Sequence, residues 1–502
     1  MKSFGKLLRR YIEKSGYTIY GIAQKANVNR TTLQKVLSDE RSASEDLIKN
    51  IRPFLKLTPA ESMELDAAFE MLQIGEELFE QRKHIQSLLE NISYILPEQQ
   101  SVPEIPDPIL PETPEILPAP GVYTGHFVIQ HILHELLLWE CVLPASAFPS
   151  LCINVPADLK LFRNIFAQTI YECRQSGIPI YHLTNFLKSE NNQNGSSFNL
   201  EILANILPFL PLADFHYQVY YYYGESPLAS PYQAAFPYYA LFSGVTVLLS
   251  SDCQTAVLSR DPDLHHYLEN LFSAALKKAM PFTTSYHRPE DVLPHLMEMD
   301  LEDLPFYSLE YQPCLMSYMT ERMIQSCAKI NTEEDSSILQ LAVMRAKQLK
   351  GLNHHISIFS KNGLLHFART GRISDLPSSR AHPLSPQDRL FVLECLYRDI
   401  LSDRRKHRMI NPLILPISDH LLCLLHQNAG LDFSFFSREG DNYGYLRIEE
   451  PSLLEAFEDF FLYVLKSPMV NTKEETLLAI QECIEEARYI KNVPPRHGET
   501  FL

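Results

Sequence analysis

Residues 18–37, TIYGIAQKANVNRTTLQKVL, hold two short amphipathic segments around one tight connection. Thr18 is a good N-cap, because its hydroxyl can accept from the unpartnered amides of a first helical turn. It opens a helix from Ile19 to Ala26 that turns Ile22 and Ala23 inward. Asn27-Val28-Asn29 reads as a turn, and Asn29 can cap the next helix, Arg30 to about Ser38. On that helix Leu33, Val36 and Leu37 share one face, which leaves Arg30, Thr31, Thr32, Gln34 and Lys35 on the other. Just upstream, SFGKLLRRYIEKS at 3–15 places Phe4, Leu7, Leu8, Tyr11 and Ile12 at helical spacing, with Gly16 as the stop. A fourth helix is expected from Ser44 to about Leu55.

Thr18, Ile22-Ala23, Val28, Asn29-Arg30-Thr31-Thr32-Leu33 and Lys35 carry a resemblance to the xenobiotic-response-element (lambda-repressor-like) helix-turn-helix family, over about the first 56 residues. The resemblance implies a head whose second motif helix lies in the major groove of double-stranded DNA. Carried over by position, Arg30, Thr31, Thr32 and Gln34 face base edges, beside the capping residues Thr18 and Asn29. Lys25, Lys35 and Arg41 face phosphates. The chemistry agrees with those roles: Arg pairs bidentately with guanine, Gln with adenine, and Lys supplies a salt-sensitive term. Two departures stand out. Ile19 occupies the place of a phosphate-clamping Gln, and Leu37-Ser38-Asp39 replaces the family's Glu-x-Gly. The other reading of the same surface is a protein-interaction module with a solvated basic face.

Charge separates this head from the rest. The 502 residues carry 44 Lys+Arg against 61 Asp+Glu, a net charge of −17 that excludes a general polyanion binder. Residues 1–56 hold twelve basic residues against five acids, so a +7 head is joined to a −24 remainder. Nine scattered cysteines without a C-x-x-C pair exclude a disulfide framework and a zinc cluster. No apolar run approaches the ~18 residues that span a bilayer, and no signal peptide is evident. A cytoplasmic protein of bacterial type, without membrane partners, is expected.

Beyond the head (1–57), Thr58-Pro59-Ala60-Glu61 is a capping box that opens one long helix, or two broken at Gly75. Its apolar row at Leu65, Phe69, Leu72, Phe79, Ile85, Leu89 and Ile92 suggests a dimerisation arm over 58–96, and so a homodimer; a helix folded on its own domain is the alternative. Eight prolines and five acids in 97–120 mark a linker.

The body reads as mixed α/β (α+β): subdomain 121–285, a helical connector 286–345, subdomain 346–470, and a terminal helix and tail 471–502. Strands are expected at Leu151–Val155, Ile178–Thr184, Tyr217–Tyr223, Val245–Ser250 and Leu421–His426 among others. Lys361-Asn362-Gly363 reads as a hairpin turn. Asp261-Pro262-x-Leu264-x3-Leu268-x3-Phe272 recurs as Glu450-Pro451-x-Leu453-x3-Phe457-x3-Phe461, which suggests that the body is duplicated.

Motifs for nucleotide, metal or nucleophile chemistry are missing, so neither a catalytic residue, a cofactor nor a metal is assigned. Tyr220, Tyr222 and Tyr238, in the densest aromatic run, are candidates for an effector pocket that takes a small molecule or a peptide; a buried strand is the plainer reading. Arg404-Arg405-Lys406-His407-Arg408 reads as a solvated helix end. Together these point to a sequence-specific DNA-binding transcriptional regulator with a sensing body. The other expectation is an enzyme or protein-interaction body carrying a DNA-binding head.

Overall fold

The computed structural model describes residues 3–95, 117–142, 151–157, 178–188, 195–207, 210, 217–224, 235–286, 288–298, 305–352, 354–374, 376, 378–419, 421–436 and 443–492. The helix expected over Asp158–Gln175, most of the proline-rich stretch and the tail after residue 492 lie outside them. The chain is multidomain and rich in both helix and sheet, and it divides into two compact units, 1–83 and 84–502.

The first unit is helical: α1 (Phe4–Lys14), α2 (Ile19–Lys25), α3 (Arg30–Leu37), α4 (Glu45–Ile51) and α5 (Pro59–Ile74). Side chains open these helices. Thr18 Oγ1 accepts from Gly21 N at 3.1 Å, and Asn29 Oδ1 accepts from Thr32 N at 3.1 Å; each such cap is worth about 1 kcal/mol. Thr58 and Glu61 exchange backbone bonds in the predicted capping box. Leu8, Ile22, Leu33, Ile51 and Leu65 are fully buried at the centre.

Gly75, at φ +92°, ends α5, and α6 (Glu76–Ile95) follows. Leu65, Phe69 and Leu72 close the core of the first unit. Ile85, Leu88, Leu89 and Ile92 belong to the core of the second. Leu65, Phe69 and Leu72, before Gly75, and Ile85, Leu89 and Ile92, after it, thus serve different cores.

The second unit opens with β1 (Gly121–Thr124), α7 (His126–Val142), β2 (Leu151–Asn154), β3 (Ile180–Phe186), α8 (Gly195–Ile206) and β4 (Tyr217–Tyr223). A meander follows, β5 (Tyr238–Phe242), β6 (Val245–Leu249) and β7 (Thr255–Ser259), then α9 (Pro262–Leu276) and β8 (Met280–Pro281). Then come β9 (Thr284–Tyr286), α10 (Pro289–Glu298), β10 (Phe306–Glu310), α11 (Glu321–Cys327), α12 (Glu333–Gly351), β11 (His355–Phe359), α13 (Lys361–Thr370), α14 (Pro386–Leu401) and β12 (Arg408–Met409). A second meander, β13 (Leu421–His426), β14 (Gly430–Phe436) and β15 (Tyr443–Ile448), leads into α15 (Pro451–Val464) and α16 (Lys473–Asn492).

The strands make two mixed sheets, ordered β1-β7-β6-β5-β2-β3-β4-β8 and β9-β15-β14-β13-β10-β11-β12. Position by position, the two orders and the relative strand directions agree. Even the last neighbour recurs: β8 runs antiparallel to β4, and Val470 bridges Ile410, just past β12, in the same sense. In each half an acid and a proline open the helix after the meander. Asp261 Oδ1 accepts from Leu264 N, and Glu450 Oε2 accepts from Leu453 N, both at 2.9 Å.

The main core lies between the sheets and includes α8 and α15. It makes the two helices after the meanders unequal. On α15, Ala456 and Phe460 are 1% exposed, whereas Tyr267 and Leu271 at the matching positions of α9 are 64% and 47% exposed.

Three local expectations are corrected. The connector 286–345 supplies β10, a central strand covered on both faces and so without the alternation that would reveal it. Lys361-Asn362-Gly363 starts a helix, because Ser360 Oγ accepts from Gly363 N at 3.1 Å. A Cβ on Gly363 would stand 1.9 Å from the Tyr311 carbonyl oxygen, so this glycine serves close approach. In the basic island Arg405 is buried, its guanidinium donating to Leu349 O at 2.9 Å. Among the described residues no helix is long and apolar enough to cross a membrane.

Candidate nucleic-acid interface

The candidate surface is built on α2 and α3. Because Leu33, Val36 and Leu37 anchor α3, Arg30, Thr31, Gln34 and Lys35 are exposed in one row along its outer side, with Thr32 half-buried among them. Thr18 and Asn29 are held by capping, so their side-chain oxygens set the helix starts. Arg41 is exposed beyond the helix. The turn at Asn27 has φ +52°, a conformation that Asn tolerates better than most residues. Asp39, where the family pattern has glycine, takes φ +59° itself and its Oδ1 accepts from Gly5 N at 2.9 Å. Ile19 packs against the core of the unit instead of reaching outward.

Aromatic residues position several cations, a role the sequence reading passed over. The Arg30 guanidinium lies 5.8 Å from the centre of the exposed Tyr20 ring. Lys25 Nζ donates to the Tyr17 hydroxyl at 3.2 Å and sits 4.7 Å from that ring; Lys56 Nζ is 5.3 Å from the same ring. The hydrogen bond from Lys25, helped by its charge and by that of Lys56, draws the Tyr17 hydroxyl below its ordinary pKa. Tyr17 and Tyr20, three residues apart in a stretch flanked by Lys14, Lys25 and Arg30, were the signal available in the sequence.

Ion pairing divides the cations of this unit. Arg10 pairs with Glu64 at 2.8 Å, Lys14 with Glu61, and Arg52 with Asp66 at 2.6 Å, all across to α5. No carboxylate of the described residues pairs with Lys25, Arg30, Lys35, Arg41 or Lys56. Positive charge is thus neutralised where α5 approaches and left uncompensated on α2 and α3, as it also is at the exposed Lys6, Arg9 and Lys49.

The expected effector tyrosines do not converge. Tyr238 lies in the core between the sheets, while Tyr220 packs with Tyr181, Leu268 and Phe272 on the opposite face of its sheet. Tyr222, two residues along β4, shares the side of Tyr220. Strands β2 and β3 stand between β5 and β4, a separation of roughly 14 Å. His131 and His134 both stand near Glu135, at 3.8 and 4.0 Å, and among the described residues no group of three or more His, Cys, Asp or Glu could hold a metal ion.

No family model matches the chain, and no curated protein matches it. Among solved structures it is similar to a polyphosphate kinase from Porphyromonas gingivalis, at 13% identity and a TM-score of 0.20 over 77% of this chain. The match spans 61% of that kinase chain. So slight a likeness carries no activity across. The expectation of a transcriptional regulator with a sensing body is corrected on the body's own geometry: the tyrosines meant to line the sensing pocket lie on opposite faces of a sheet. The coarser alternative stands in its place, an enzyme or protein-interaction body joined to the basic head.

Proposed function

We propose that the chain is a DNA-binding adaptor: a helix-turn-helix head that holds double-stranded DNA, joined to a protein-interaction body made of two copies of one module. The uncompensated charge on α2 and α3 carries the first part of this reading. Arg30 and Lys35 lack carboxylate partners on the helix where Thr31 and Gln34 are exposed, as do Lys25, Arg41 and Lys56, while Arg10, Lys14 and Arg52 are neutralised by α5. Such a focused basic face releases counterions from a phosphate backbone and binds with a steep salt dependence. The matching strand orders of the two sheets support the reading of the body as two copies of one module, and its buried polar side chains are internally satisfied. Ser308, Glu310, Ser357 and His355 are buried and satisfy one another, an arrangement that holds a scaffold together.

Fluorescence anisotropy of labelled duplex DNA with the full chain tests the head. Affinity should fall with added salt, and Lys35→Ala should flatten the slope by about one unit of log affinity per log salt. Arg30→Ala should cost about 1–3 kcal/mol. Salt-independent binding, or an R30A/K35A chain that binds as the parent does, would count against a DNA-binding head.

A further inference from the structure

The strand registers align the two sheets residue by residue. In the first, Leu258, Val247, Ala240, Ile153, His182 and Val219 lie side by side across the strands. Counted from Pro262 and Pro451, the same row of the second sheet runs Arg447, Asp432, Leu424, Ser308 and Ser357. Both rows are buried. One is apolar except for a single imidazole; the other, apart from Leu424, is built from charged and hydroxyl groups.

The hydrogen bonds in the second row fix two neighbouring imidazoles as neutral. Ser357 N–H donates to His407 Nδ1 at 2.8 Å, so that nitrogen carries no proton. Ser308 Oγ donates to Glu310 at 2.6 Å and therefore accepts from His355 Nε2–H at 2.9 Å. His355 Nδ1 then faces the Arg405 guanidinium at 3.4 Å, again as an acceptor. A proton added to either ring would set N–H against N–H in a buried site. Burial and the neighbouring cations push both rings well below the ordinary histidine pKa.

The surroundings from each packed element are as follows. β10 brings Glu310, which also accepts from Ser357 Oγ, and Phe306, stacked between His355 and His426 with ring centres 4.5 and 4.4 Å away. On the meander, His426 Nε2 stands 3.2 Å from Asp432, which Arg447 holds at 3.0 Å. From the helices come Arg345 of α12, Asp399 of α14 at 3.7 Å from Arg405, and the Tyr318 ring 5.6 Å from Arg405. Arg408 adds a cation beside His407. The end of α12 closes the cluster: Leu349 O accepts from Arg405 while Leu349 and Leu352 pack on Phe306 and Leu424.

We propose that this polar row is an acid-responsive latch: proton uptake by His355 and His407 releases α12 and the Arg405–His407 segment from the second sheet, more steeply with falling pH than the first sheet opens. The sign follows from linkage. The open form binds protons below about pH 6.5 and the closed form does not, so each imidazole favours opening about tenfold per pH unit. Two of them give about 100-fold per unit in the second half, against about tenfold from His182 in the first.

Hydrogen exchange of the full chain between pH 7 and pH 5, corrected for intrinsic rates, reads both halves at once. Opening of 306–310, 333–351 and 355–359 should steepen as described relative to 238–249. In an H355Q/H407N chain, whose amides keep the donor to Ser308 and the acceptor for Ser357, that excess pH dependence should vanish. Equal pH dependence in the two halves, or an unchanged excess in the variant, overturns the latch. Should the variant not fold, the wild-type imidazoles decide by nitrogen NMR. Rings that stay neutral wherever α12 is protected support the proposal, and ordinary titration near pH 6.5 in the protected form overturns it.

Discussion

Asp39 and Gly5 tie the end of α3 to the opening helix of the first unit. Asp39 Oδ1 accepts from Gly5 N, and a Cβ on Gly5 would fall 2.8 Å from that oxygen and 2.6 Å from Val36 O. Gly5→Ala therefore pushes α1 off the end of α3. Overpacking of this kind costs about 1–3 kcal/mol. Thermal unfolding of the full chain should show the transition of the first unit lowered and that of the body unmoved.

Arg447 and Asp432 are buried together, with two contacts of 3.0 and 3.2 Å between one guanidinium nitrogen and both carboxylate oxygens. Removing one partner strands a charge, so Arg447→Met should destabilise the body by about 3–5 kcal/mol. An R447M/D432L chain should recover most of that in urea unfolding. If the single variant unfolds like the parent, the pair does not hold the meander.

The paired cations should be silent towards DNA. Arg10→Ala and Lys14→Ala remove charges already neutralised by Glu64 and Glu61. Their salt slopes for duplex binding should match that of the parent chain, whereas Lys25→Ala and Lys56→Ala should lower it. Equal losses from all four would mean that the charge is not focused on α2 and α3.

His182 gives the first sheet its own pH response. Its Nε2–H donates to Val155 O and its Nδ1 accepts from the Tyr217 hydroxyl, both at 2.7 Å, and burial pulls its pKa down to about 4. A depressed histidine pKa contributes stability that is complete above about pH 6.5 and is lost as pH falls towards 4. The full span is worth about 3 kcal/mol. His182→Asn should remove that dependence from urea midpoints of the first half; a parent chain equally stable at pH 7 and pH 4.5 would refute it.

What could be read in advance was local. Thr18, Asn29, Thr58 and Ser385 sit beside their helices in sequence, and capping needs nothing further, so the helix starts were legible. The echo around Pro262 and Pro451 was legible for the same reason. Strand β10 was not, because both of its faces are buried and its Ser308 and Glu310 find partners 47 residues away. Gly363 misled: the carbonyl that demands a glycine there belongs to Tyr311, which no local pattern announces. In the candidate interface the exposed row of α3 was legible, but the selection among cations was not. It depends on carboxylates of α5 that approach only when the helices pack.

The unequal burial of α9 and α15 bears on how the two halves can diverge over time. A substitution at Tyr267 or Leu271 meets solvent, while one at Ala456 or Phe460 meets a closed core. The first helix therefore tolerates substitution at these positions, whereas the second does not. The capping acid, the proline and the inward apolar row are then the features in which a common ancestry of the two halves would persist longest.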